Sequence, residues 1–239
     1  MVYGKEFFDL QFSFAERAQA LSGMPLEQAL FEYTNFYVRF GLGREFDSEH
    51  ETWRAYVAGL NDAEDGRDWT YRFYLRAPET TTAPPLVATF GCFSYGFQEP
   101  GVVRLHFLNA DRDGCSPLSA ARVERRRAEL KALFNHLKGT AGAGATVVGA
   151  SWLYNLNAYR RLFPLPYTSS GRAVRGRFRS MPLWGQFVDH SGQIKESARR
   201  PFLNSLAGQS TLAYLDDCFP LQVIAVQAAA GLFYDFYEV

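Results

Sequence analysis

Apolar positions along the chain follow a helical spacing first, then an alternating one, then a mixture of the two. Leu26, Leu30, Tyr33, Tyr37 and Phe40 fall three or four residues apart, which lines them along one face of a helix. Pro25 suits the opening of that helix, and Gly41 with Gly43 its close. A second helix is expected over 51–60, capped by Ser48. The pattern then turns to aromatic and β-branched residues, and 69–75, 86–97 and 102–108 each read as strands. A Thr- and Pro-rich loop over 77–85 separates the first two, and Glu99-Pro100-Gly101 supplies turn chemistry before the third. Strands joined in sequence by short turns predict an antiparallel meander.

Ser116 and Pro117 then open a long helix over 116–138. Leu118, Leu130, Leu133, Phe134 and Leu137 mark its buried face, Arg122, Arg125, Arg126 and Arg127 mostly its wet face, and Gly139 its end. A strand over 146–153 and a short helix over 155–163 follow, the latter stopped by Pro164 and Pro166. The segment 167–180 is polar and basic. Further on, 183–188 reads as a strand, His190 to Gly192 as a turn, 194–206 as a helix interrupted by Pro201, 221–226 as a strand and 228–237 as a terminal helix. The pattern predicts one mixed α+β domain over 1–239, in which helices flank a central, mostly antiparallel sheet. A helical N-terminal part spans 1–62, a sheet-and-helix core 66–190 and a C-terminal extension 191–239.

Composition narrows the function classes. Of 239 residues, 47% are hydrophobic and 21% charged, enough apolar surface for a sizeable core. Aromatic residues make up 16%, which fits a Phe-rich core or an aromatic-lined pocket. Basic and acidic residues balance at 25 each, so no global charge draws nucleic acid or a membrane surface, and neither is an expected partner. Cys92, Cys115 and Cys218 are odd in number and lack CxxC spacing, which argues against a disulfide framework or a zinc cluster and for reduced thiols in the cytoplasm. The N-terminus lacks a signal-peptide pattern, and no apolar run reaches the roughly 18 residues of a membrane helix. The four histidines are scattered, without metal-ligand spacing, and no metal is expected.

Five places carry candidate chemistry. Between strand 102–108 and the helix after it, Arg112, Gly114, Cys115 and Ser116 lead into first-turn amides, with Arg122 one turn on. Such amides lack internal partners and attract anions; the ordinary alternative is a simple strand–helix connection. His106 shares a strand face with Arg104 and Leu108, where it can act as a general base or sit as a hydrogen-bonded structural residue. Cys92 and Ser94 share a face of the preceding strand, and suitable pairing would bring Cys92 toward His106; a small buried hydrophobe is the plainer role. Ser151, Tyr154, Asn155 and Tyr159 gather where a strand hands over to a helix. Arg172, Arg175, Arg177 and Arg179 alternate around Phe178, as an edge strand or a phosphate-contacting segment would.

The order of elements resembles the GCN5-related N-acetyltransferases over about residues 25–188. The resemblance implies a three-layer α/β/α acyltransferase-like fold. The diphosphate of acyl-CoA, the cosubstrate, would lie on Arg112, Gly114, Cys115, Ser116 and Arg122. Tyr159 would be the general acid, with Tyr154 second. The family's loop has the form Q/R-x-x-G-x-G/A, from which Arg112 to Ser116 departs. The reading that follows is an acyltransferase acting on a small amine or hydroxyl acceptor, with His106 as base and Cys92, Ser94, Ser151 and Asn155 near the small-molecule substrate. Its rivals are a non-catalytic binding or assembly protein, in which a homo-oligomer would be expected, and a hydrolase using Cys92 or Ser151.

Overall fold

The helical periodicity near the N-terminus resolves into five helices, α1 (Lys5–Ser22), α2 (Leu26–Tyr33), α3 (Phe36–Arg39), α4 (Glu51–Asn61) and α5 (Gly66–Arg76). Then come β1 (Ala88–Phe90), β2 (Phe93–Glu99), β3 (Val102–Phe107), α6 (Val123–Ala141), β4 (Thr146–Ser151), α7 (Asn157–Arg160), α8 (Leu165–Ser169) and β5 (Arg172–Val174). The chain closes with α9 (Met181–Trp184), α10 (Glu196–Gly208), β6 (Val223–Ala229) and α11 (Ala230–Tyr237). This computed structural model describes residues 2–77, 86–111, 113–142, 144–189 and 191–239. The Thr/Pro stretch over 78–85, Arg112 and the turn residue His190 lie outside the described residues. The chain folds into two compact units, Met1–Thr82 with Gly176–Pro220 and Ala83–Arg175 with Leu221–Val239. Residues 191–239 are thereby shared between the two.

The first unit is helical and aromatic. Phe7, Phe8, Phe14, Ala15 and Ala18 of α1 are buried, and α1 packs on α2, α5 and α10. Phe14 meets Phe178, Trp184, Phe202 and Phe219 at ring distances of 5.1–5.8 Å. Three expectations are corrected here. Residues 69–75 form helix α5, not a strand. Asp65 caps its start by accepting the amides of Arg67 and Asp68 at 2.9 and 3.1 Å. Thr70 meets the Tyr56 hydroxyl at 2.8 Å, and Trp69 donates to the Tyr56 carbonyl at 2.9 Å. A cap and packing on α4 thus override the strand propensity of the aromatics. Residues 183–188 form α9 and a 3-10 turn rather than a strand, with Pro182 in the first helical turn. The single helix expected through Phe40 breaks at Thr34, whose hydroxyl donates to the Leu30 carbonyl at 2.6 Å and accepts from the Phe36 amide at 3.2 Å. In addition, His50 rather than Ser48 caps α4, accepting the Thr52 amide at 3.2 Å.

The second unit is built on an open six-stranded sheet in the order β1-β2-β3-β4-β6-β5. Every neighbouring pair is antiparallel except β3 and β4. The strand expected over 86–97 is two strands. Gly91 at φ 59 turns the chain between Phe90 and Phe93, and a Cβ there would collide with the Glu129 carboxylate. α6 crosses from β3 to the parallel β4, as parallel pairing requires. Its Leu130, Leu133, Phe134 and Leu137 join Phe93, Tyr95, Val103 and Val147 of the strands and Phe233 of α11 in one core. The Phe134 and Phe233 rings stack 4.5 Å apart.

The ladder between β3 and β4 covers only Val102, Val103 and Arg104 opposite Thr146, Val147 and Val148. Beyond that point β3 stays paired with β2, and β4 with β6. The two central strands therefore part toward their carboxyl ends. That end of a sheet is where open α/β architectures bind ligands.

Candidate functional site

The alternation along β3 sends Val103 and Leu105 into the core, both nearly fully buried, and leaves Arg104 and His106 half-buried on the opposite face. Register sets Ser94 directly across from His106. Arg104 donates through Nε to Gln98 Oε1 at 2.9 Å. Cys92 does not join this group. Its carbonyl accepts the Leu108 amide at 2.9 Å, its Sγ accepts the Ala110 amide at 3.4 Å, and its amide donates to Glu129 at 3.1 Å. Cys92 is buried in the core beside α6, and burial pushes its thiol up. The expected Cys92–His106 pair is therefore not formed: the thiol takes the Ala110 amide instead.

The connection from β3 to α6 differs from the capped helix expected at Ser116. A 3-10 turn, Ala120–Arg122, precedes α6, which starts at Val123. Gly114 adopts φ 72, and Gly114, Cys115 and Ser116 are exposed. Arg122 is engaged by two carboxylates, those of Asp111 and Asp113. Asp113 also accepts the Cys115 amide at 3.2 Å. The Arg122 hydrogen bond comes first and that amide second in holding the Asp113 carboxyl below its usual range.

Asp111 and Arg126 form the buried centre of this junction, and the sequence pattern did not single out either. Arg126, expected among the mostly wet-face arginines, has a side chain only 1% exposed; the Asp111 side chain is 2% exposed. They pair at 2.7 Å, Arg126 reaches Glu129 at 2.8 Å, and Arg125 reaches Asp111 at 3.2 Å. Burial works to raise the Asp111 carboxyl, but the hydrogen bonds and charges of Arg126 and then Arg122 outweigh it, and the group is held below the usual carboxylate range. The signal was present in the helical spacing: Arg126 lies four residues before Leu130 and seven before Leu133, on the core face.

On the other side of the parting strands, Tyr154 and Tyr159 are both buried, 5% and 3% exposed. The Tyr159 ring stands 5.5 Å from Phe107 of β3 and 5.1 Å from Tyr154. The Tyr154 hydroxyl meets that of Tyr167 at 2.9 Å. Tyr167 is wholly buried, although sequence placed it in a polar stretch; its only cue is an aromatic just after two prolines. Gly149 of β4 makes room for this hydroxyl pair, since a Cβ there would overlap the Tyr154 hydroxyl and stand 2.6 Å from that of Tyr167. Burial pushes all three phenols well up.

Ser151 caps the 3-10 turn after β4, accepting the Leu153 amide at 3.2 Å. Asn155 is exposed, and its side-chain amide donates to the carbonyls of Trp152 and Gln222 at 2.7 and 2.8 Å. Both fix the backbone there.

Two open concavities, about 580 and 590 Å³, flank α2 in the first unit; Tyr33, Arg177 and Phe178 line one, Phe31, Trp53 and Val57 the other. Of the residues singled out from the sequence, Arg177 and Arg179 of the basic segment line the first, and the residues assigned to the acyltransferase site line neither. Among the described residues, no three His, Cys, Asp or Glu side chains are grouped to hold a metal ion, and no helix is long and apolar enough to cross a membrane. The chain matches no protein-family model, no curated protein and no solved structure.

Proposed function

We propose that the second unit is an acyl-CoA-dependent acyltransferase acting on a small amine or hydroxyl acceptor, with the thioester lying where β3 and β4 part. One observation carries this reading. The single parallel pair stands inside an otherwise antiparallel sheet, is linked by the α6 crossover, and loses its ladder after Arg104 and Val148. An extended thioester arm can use strand edges that have separated in this way. The same order of elements is the basis of the likeness to the GCN5-related N-acetyltransferases. That likeness would imply a three-layer α/β/α arrangement, in which α6 and α11 would belong to one helical layer.

In this mechanism the acceptor's lone pair attacks the thioester carbonyl carbon, and the C–S bond breaks with its electron pair on sulfur. His106, directly or through water, takes the acceptor's proton. Tyr159 gives its proton to the departing thiolate; a phenol held above its usual range is still protonated at neutral pH.

A second reading, a non-catalytic binding protein on the same fold, is favoured by the clamp of Asp111 and Asp113 on Arg122 and by the burial of Tyr159. Calorimetry with acetyl-CoA and a longer acyl-CoA, followed by detection of free CoA when an amine mixture is added, separates the two. Saturable heat and thiol release support the enzyme. Heat without release supports the binding protein, and no heat at millimolar ligand overturns the acyltransferase.

A further inference from the structure

We infer that the acyl donor is recognised through its thioester arm and not through a diphosphate on the β3–α6 loop; the inference rests on the acyltransferase reading above. That reading lays the donor's diphosphate against loop 109–122. The loop's charge is internally balanced, with Asp111 and Asp113 against Arg112 and Arg122. The described members of that set are already engaged with one another. Arg122 is held by both carboxylates, and its side chain is only 13% exposed. Asp111 is more deeply buried and lies against the first turn of α6, held by Arg122, Arg125 and Arg126. Here the chain supplies an anion itself.

Arg126, its side chain only 1% exposed, is sealed between Asp111 and Glu129. Glu129 in turn accepts the Cys92 amide, which ties the network to the β1–β2 turn. A diphosphate arriving here would meet two carboxylates whose low proton affinity keeps them charged at neutral pH. It could gain Arg122 or Arg126 only by displacing those carboxylates. On the far side, Arg161 donates to the Leu118 carbonyl at 3.0 Å, fastening the end of this loop. At the thioester end the carboxylate pairs are absent from the strand ladder, which stops at Arg104 and Val148. The substrate class is therefore a pantetheine thioester whose nucleotide end, if present, is left in solvent.

The test titrates the full chain with CoA, pantetheine and inorganic pyrophosphate, followed by amide NMR of residues 109–122 and by calorimetry. Expected are CoA and pantetheine dissociation constants within about threefold of each other and no saturable shift with pyrophosphate. Replacing Asp113→Asn, an exposed change that leaves the buried pair intact, should tighten CoA several-fold and leave pantetheine unchanged. The double variant D111N/D113N should do so more strongly if it folds. CoA binding a hundredfold tighter than pantetheine, or pyrophosphate saturating the loop amides of the unaltered chain, would overturn the inference and leave the acyltransferase reading standing. Binding of neither CoA nor pantetheine would overturn that reading, and the inference with it.

Discussion

Two clusters of buried polar groups flank the parting strands of the second unit, and they solve the same problem by opposite means. At the β3–α6 junction, Asp111, Arg126 and Glu129 are hidden as charges and must neutralise one another. Beside β4, Tyr154, Tyr159 and Tyr167 are hidden as neutral phenols, with Tyr154 and Tyr167 sharing one 2.9 Å contact. Desolvating a charge is far more costly than desolvating a hydroxyl. The ionic cluster should therefore be the more fragile to single substitutions and the more sensitive to acid. The phenol cluster should respond mainly to shape.

The largest expected effect comes from removing one charge from the sealed pair. Arg126→Met removes the buried partner that Asp111 and Glu129 share, leaving them the exposed Arg125 and, for Asp111, Arg122, and should cost about 3–5 kcal/mol in chemical denaturation. A loss below about 1 kcal/mol would show that the network is hydrated and that the contrast is false. Gly149→Ala comes next. Its methyl meets the Tyr154 and Tyr167 hydroxyls, and overpacking of this kind costs about 1–3 kcal/mol. Removing both hydroxyls (Y154F/Y167F) in the Gly149→Ala background should recover part of that loss. No recovery would place the strain elsewhere.

A smaller effect separates the clusters by pH. The Asp111 carboxyl is held below its unfolded value of about 4. Its contribution is therefore complete above that value and is lost as pH falls through the lower folded value. The phenols are raised above about 10, so theirs is complete below pH 10 and is lost only as pH rises further. Denaturation midpoints from pH 2 to 11 should fall at the acid end in the native chain and fall less in D111N. Equal acid slopes in the two would mean that Asp111 does not set the acid sensitivity. The smallest effect is Tyr167→Phe, which deletes one hydroxyl contact worth about 1 kcal/mol; an unchanged midpoint would mean that the pair adds nothing measurable.

The sheet centre was readable from sequence because its signals are local. Val103 and Leu105 alternate with Arg104 and His106, and Pro100 with Gly101 fixes where β3 begins. α5 was not readable, because Trp69, Thr70 and Tyr71 carry strand propensity, and the contacts that overrule it reach back to Tyr56 and Asp65. The joining of residues 176–220 to the N-terminal helices depends on contacts such as Phe14 with Phe219, which no local pattern reports. At the candidate site, His106, Tyr154 and Tyr159 carry their own chemical signature. Asp111 and Arg126 do not: a charged residue on a helix reads as solvated until its partner across the fold is known. Arg126 was nonetheless in register with Leu130 and Leu133, so the spacing held information that residue type obscured.

Hydrogen–deuterium exchange of the full chain with saturating acetyl-CoA tests the proposed thioester cleft most directly. Donor binding in that cleft predicts slowed exchange at residues 105–107 and 149–151, where β3 and β4 have parted, with 102–104 and 146–148 unchanged. Unaltered exchange in both parted segments, or protection confined to the first unit, would contradict it.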